Sequence, residues 1–153
     1  MVTAQSAKVV IIGTGMVGAT FGYALLPSGL APEIILIDAN RARAEGEAMD
    51  LSHAMPFYRP INIRSGDYAD CAGADVVVVA AGAAQRPGET RTHLAQRNAE
   101  IFRQIIPQVT RQAPDAILLI ATNPVDSLTY LSWRLSGFPP QRVIGAGTIL
   151  DTA

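Results

Sequence analysis

The chain has 153 residues, 49% of them apolar, and a formal net charge of −1 at neutral pH. That length is enough for one domain with a sizeable core. The near-neutral balance argues against a nucleic-acid or anionic-membrane partner, and no apolar run approaches the ~20 residues that span a bilayer.

In chain order, the head Met1–Ala7 is short and polar, which fits neither a signal peptide nor an anchor. An apolar, mostly β-branched run, Val9–Ile12, reads as a buried strand. Gly13, Gly15 and Gly18 follow in the spacing G-x-G-x-x-G, and a helix is expected over Met16–Leu26, with Pro27 ending or kinking it. A second strand, Ile34–Ile37, leads to Asp38, twenty residues after Gly18. Each part has a job in holding a dinucleotide. Gly13 permits the tight turn, Gly15 lets backbone approach a pyrophosphate, and Gly18 lets helix and sheet pack closely. The helix start near Met16 points N–H groups and a positive dipole end at phosphate. No Lys or Arg lies between Val9 and Asn40, so backbone would hold the anion. Asp38 is placed to accept from a ribose diol. A bare glycine motif is weak; with both strands, the helix and the acid it becomes specific for dinucleotide binding.

Arg41–His53 reads as a second helix, stopped by Met55-Pro56. Ile61–Arg64 alternates apolar and polar, as an edge strand does. Cys71 is the only cysteine, which excludes an internal disulfide and fits a reducing cytoplasm. Val76–Val79 has the composition of a central parallel strand. A polar loop, Ala83–Arg91, leads to a helix over Thr92–Gln112, where Pro107 should break or kink the pattern. Ile117–Ile120, a helix over Val125–Leu135 and a short strand over Arg142–Gly145 complete the series. His53 and His93 have no partners at ligand spacing, so no metal is expected. Strands alternating with helices imply an α/β fold: a doubly wound parallel sheet of Rossmann type. Six strands in the order 3-2-1-4-5-6 are expected, with the ligand crevice at the carboxyl ends of strands 1 and 4. Residues 1–153 are expected to form that one domain.

Four stretches carry a more specific resemblance. A-G-A-A-Q-R-P-G-E-T-R (81–91), R-N-A-E-I-F (97–102), A-T-N-P-V-D (121–126) and V-I-G-A-G-T-I-L-D-T-A (143–153) resemble successive signatures of the lactate/malate dehydrogenase family. The match covers essentially everything after the head and is nearest to the bacterial L-lactate branch. The resemblance implies NAD as cofactor, reduction of a small 2-keto acid to the 2-hydroxy acid (pyruvate to L-lactate), a cytoplasmic glycolytic role and a homo-oligomer, tetramer or dimer. It also implies that this is the cofactor half: the family continues past D-T-A with an arginine, the G-E-H-G stretch bearing the catalytic histidine, and a substrate domain. The 153 residues alone are therefore expected to be inactive.

The resemblance also assigns roles. Arg91 matches the loop arginine that polarises the substrate carbonyl, and Asp151 the aspartate that orients the catalytic histidine. Asn123 matches a residue contacting both the nicotinamide side and the substrate; its bond to Pro124 can take either isomer at small cost. Gln85 matches the position facing the distinguishing end of the substrate. Met16, Val17, Arg43, Tyr68, Gly82, Ala83, Ala121 and Thr122 match positions along the cofactor, with Gly13, Gly15, Gly18 and Asp38. His53, in M-D-L-S-H-A, lies where the family makes a dimer contact, and is equally a helix-end surface residue. His93 reads as a surface residue at a helix start. Malate dehydrogenases of the family carry arginine where Gln85 stands, and Glu89 adds negative charge to the loop, so a monocarboxylic substrate is implied. If Arg86 took that place instead, the malate reading would follow. A nucleotide-binding module without chemistry is the alternative of another class.

Overall fold

The computed structural model describes residues 7–58 and 60–147. Six strands, β1 (Lys8–Ile12), β2 (Glu33–Ile37), β3 (Asn62–Ser65), β4 (Val76–Val79), β5 (Ile117–Ile120) and β6 (Val143–Gly145), form one sheet in the order β3-β2-β1-β4-β5-β6. All its pairings are parallel. Among the described residues the four α-helices are α1 (Met16–Ser28), α2 (Arg41–His53), α3 (Arg91–Gln112) and α4 (Val125–Ser136). This is the expected Rossmann fold.

Strand alternation explains the two-faced core. Val9, Ile11, Ile34, Leu36 and Val78 turn to one side and pack with Leu26 of α1 and Ala44, Ala48 and Leu51 of α2. Val10, Ile12, Ile35, Ile37, Val77, Val79, Leu118 and Ile120 turn to the other, against Phe102, Ile105, Ile106 and Val109 of α3 and Leu128 of α4. With both faces covered, these strands are nearly all apolar, as buried parallel strands must be.

Neither proline ends its helix at the proline itself. Helix α1 passes through Pro27 to Ser28 and closes at Gly29, whose φ of 64° is left-handed. Pro27 falls in the last turn, where its missing N–H deprives a single carbonyl, and the Ser28 hydroxyl donates to the nearby Leu25 carbonyl at 2.6 Å. Helix α3 continues on both sides of Pro107. Burial of Phe102, Ile105, Ile106 and Val109 before and after the proline outweighs its cost of about 3 kcal/mol. Arg91, expected in the loop, is the first residue of α3, whose start is capped by the Thr90 side chain accepting from the His93 N–H at 3.2 Å. The third strand lies one residue later than expected.

Candidate functional site

At the carboxyl end of β1 the chain turns through Gly13 at φ 95°, where a Cβ would run into the Ala81 backbone. The Gly13 N–H donates to the Ile37 carbonyl at 2.8 Å, so the turn is wedged between the ends of β2 and β4. A Cβ on Gly18 would strike the Gly13 carbonyl, which is why helix and turn can lie so close. Gly15 differs: a Cβ there would meet nothing within 4 Å. It faces open space at the start of α1.

Helices α2 and α3 receive side-chain caps from Asn40 and Thr90, but α1 has no side-chain cap and no acid in its first turn. Its N–H groups and dipole are left available for an external anion. Asp38, at the end of β2, is fixed from two sides. Its Oδ2 accepts from the Thr14 N–H at 2.8 Å and the Thr14 hydroxyl at 3.1 Å, and its Oδ1 from the Asn40 N–H at 2.9 Å. A carboxylate oxygen has room for further donors, so a ribose diol can still be accepted.

A cleft of about 490 Å³ joins these features. It is lined by Gly13, Gly15, Asp38, Arg43, Tyr68 and Gly82 among the expected cofactor residues. It is also lined by Ile101, Gln104, Ile105 and Gln108 of α3, which sequence reasoning missed. Ile101 and Ile105 were legible only as part of an apolar stripe. Burial, with smaller effects from Cys71 and Asp38, pushes the Tyr68 phenol up. Burial likewise pushes the Cys71 thiol up to about 11, which keeps it neutral and unreactive. Met16, Val17, Gly18, Ala83, Ala121 and Thr122 stand outside this lining. Met16 and Val17 are exposed at the helix start, and Gly18 is buried beneath the turn. The Thr122 hydroxyl is turned inward, toward the carbonyls of Ala81 at 2.8 Å and Val79 at 3.2 Å.

A second cleft, about 390 Å³, is lined by Gln85, Arg91, Leu94, Asn123 and Pro124. The three residues expected on the substrate side thus converge, though they come from a loop, a helix start and the β5–α4 turn. The Asn123–Pro124 bond is cis. Arg91 is exposed, and Arg86 is absent from the lining. The loop holds itself together: the Gln85 amide donates to the Glu89 carbonyl at 2.8 Å, and the Arg86 N–H to the Glu89 carboxylate at 2.9 Å. Arg97 grips that carboxylate at 2.8 and 2.9 Å, and this contact above all holds the Glu89 carboxyl below its ordinary range. Glu89 is therefore engaged within the loop and is not a free charge at the cleft. Another residue missed at the sequence level, Asn98, ties the loops: its Oδ1 accepts from the Ala83 N–H at 2.8 Å and its Nδ2 donates to the Asn123 carbonyl at 2.9 Å. Asp151 lies outside the described residues. His93 is exposed in the first turn of α3. Among the described residues no group of three His, Cys, Asp or Glu is arranged for a metal, and no helix is long and apolar enough to cross a membrane.

An uncapped helix start behind an open glycine, an anchored acid and a partly apolar cleft suit a dinucleotide's pyrophosphate, ribose and base in turn. Comparison with known proteins agrees. Residues 7–145 match the family described as lactate/malate dehydrogenase, NAD binding domain. The L-lactate dehydrogenase of Clostridium botulinum (strain Hall) is 57% identical over 149 residues, 97% of this chain and 47% of that protein. That of Acetivibrio thermocellus is 56% identical over 146 residues, 95% and 46% respectively. The crystal structure of the minor L-lactate dehydrogenase from Enterococcus mundtii, in its ligands-bound form, superimposes with a TM-score of 0.92 at 48% identity, over 95% of this chain and 47% of that one. The chain spans about half the length of the relatives it matches. It belongs to the lactate/malate dehydrogenase family and corresponds to that family's NAD-binding domain.

Proposed function

We propose that this domain serves an NAD-dependent L-lactate dehydrogenase that reduces pyruvate. The single observation that carries the proposal is the convergence of Gln85, Arg91 and Asn123 on one cleft beside the dinucleotide cleft. Asp38 takes the adenosine ribose, Gly13, Gly15 and the start of α1 the pyrophosphate, and Gly82 with the Asn123 turn the nicotinamide end. Arg43, Tyr68 and the α3 residues border the adenosine side. When bound, NADH supplies the hydride. Arg91 presents its guanidinium to the substrate carbonyl oxygen, where negative charge develops as the carbonyl is reduced, and such preplaced charge contributes most in a site closed to water. Asn123 orients the substrate. Asp151 would orient and stabilise a protonated histidine supplied by the remainder of the enzyme. A cytoplasmic, glycolytic setting and a homo-oligomeric enzyme belong to the same proposal; the single, buried Cys71 fits a reducing compartment.

Gln85 decides between substrates. A neutral amide cannot neutralise the second carboxylate of oxaloacetate. Leaving that charge unpaired in a closed site costs on the order of 3 kcal/mol, roughly a hundredfold in preference. The absence of Arg86 from the cleft lining favours the lactate register. The test is kcat/KM for pyruvate and oxaloacetate in the enzyme carrying this domain and in its Gln85→Arg variant. Preference for pyruvate, swinging toward oxaloacetate in the variant, is expected. A wild type that prefers oxaloacetate, or a ratio unmoved by the substitution, would sink the assignment.

A further inference from the structure

Asn98 is only 2% exposed. It sits on the face of α3 that otherwise buries Phe102, Ile105 and Ile106. An amide among apolar side chains is costly unless its polar atoms are bonded. Both are, and to different loops: Oδ1 to the Ala83 N–H after β4, Nδ2 to the Asn123 carbonyl after β5. The partners fix the amide's orientation, because a backbone N–H can only donate and a carbonyl only accept. Gly82 packs beside it: a Cβ there would meet the Thr122 methyl first, at 2.6 Å, and then Asn98 Oδ1 at 3.3 Å. Asn98 is absent from the lining of both clefts, so it acts on ligands only through the backbone it holds.

The two loops it ties are the ones the nicotinamide end must reach. Asp38 at the end of β2 holds the adenosine ribose and α1 the pyrophosphate. The other half of the dinucleotide then extends across β4 toward Gly82 and Asn123. Resting on the NAD reading above, we propose that Asn98 is a positioning residue for the nicotinamide half of the cofactor, setting the spacing of the Ala83 and Asn123 loops without touching the ligand itself.

The experiment titrates this chain with NADH and, separately, with ADP-ribose, which has the adenosine and pyrophosphate groups but no nicotinamide. Wild type is compared with Asn98→Asp. The aspartate keeps an acceptor for the Ala83 N–H but turns an oxygen toward the Asn123 carbonyl, so attraction there becomes repulsion. NADH affinity should fall about tenfold, the scale of one buried bond lost with repulsion added, while ADP-ribose affinity stays within about twofold. A general loss of structure would weaken both ligands together, so parallel losses overturn the proposal. So does an unchanged NADH affinity, or a wild type that does not distinguish the two ligands. If Asn98→Asp does not fold, Asn98→Ser, smaller and uncharged, replaces it with the same split expected. A wild type that binds neither ligand would instead refute the underlying NAD reading, and the proposal with it.

Discussion

Gly15 and Gly18 share one turn and do opposite work. A Cβ on Gly15 meets open space, and its φ of −70° suits any residue. Gly15→Ala should change stability by no more than about 0.5 kcal/mol but weaken NADH at least about tenfold, because the methyl occupies the pyrophosphate's approach. A Cβ on Gly18 strikes the Gly13 carbonyl. Gly18→Ala should lose about 2–3 kcal/mol or fail to fold. Urea unfolding with NADH titration checks both, and equal stability loss in the two variants would contradict the division. The spacing of these glycines and of Asp38 was legible because turn chemistry is local. Asn98 and the α3 cleft residues were not. Helical periodicity marks Ile101 and Ile105 as apolar, but not that their stripe runs into a ligand cleft. A single Asn in a helix gives no sign of two backbone partners 15 and 25 residues away.

At the scale of elements, sequence reasoning found the six strands and four α-helices of the described residues, though neither proline ends its helix. Local rules weigh the lost N–H; they cannot weigh the tertiary burial that carries α3 past Pro107. They also gave no sign that Glu89 is bound to Arg97, eight residues on in α3. That pair and a second one make stability depend on pH. Asp70 beside Arg64, at 2.7 Å, has its carboxyl held below the ordinary 3.8, chiefly by that hydrogen bond. Glu89 is likewise held below the ordinary 4.5 by Arg97. A carboxyl that ionises more readily folded than unfolded binds fewer protons in the folded state. Its stabilisation is complete above the ordinary value and is lost as pH falls through the folded one. The urea midpoint should therefore be level from about pH 7 to 5 and decline below about 4.5. A Glu89→Gln, Asp70→Asn double variant should decline less steeply. Identical profiles for variant and wild type would remove these two pairs from the account.

For the whole molecule, strand order was legible because six parallel strands joined largely by helical crossovers leave few right-handed solutions. Surfaces were harder to read. Met49 is 66% exposed, in a groove between α2 and β3 that also includes His53, Ile63 and Arg64. In the homo-oligomer proposed above, this groove beside M-D-L-S-H-A is the contact between copies. Sedimentation should show concentration-dependent self-association that Met49→Glu weakens; a strictly monomeric wild type at high concentration would count against it. The central claim, that this domain is built to hold NAD, is tested most directly by titrating the chain with NADH and with NADPH and following nicotinamide fluorescence. The cleft contains both Asp38 and Arg43, so the outcome turns on which of them meets the 2′-position. The anchored Asp38 carboxylate should repel a 2′-phosphate and make NADPH bind at least about tenfold more weakly than NADH. Equal binding of the two, or no binding of NADH, would contradict the account.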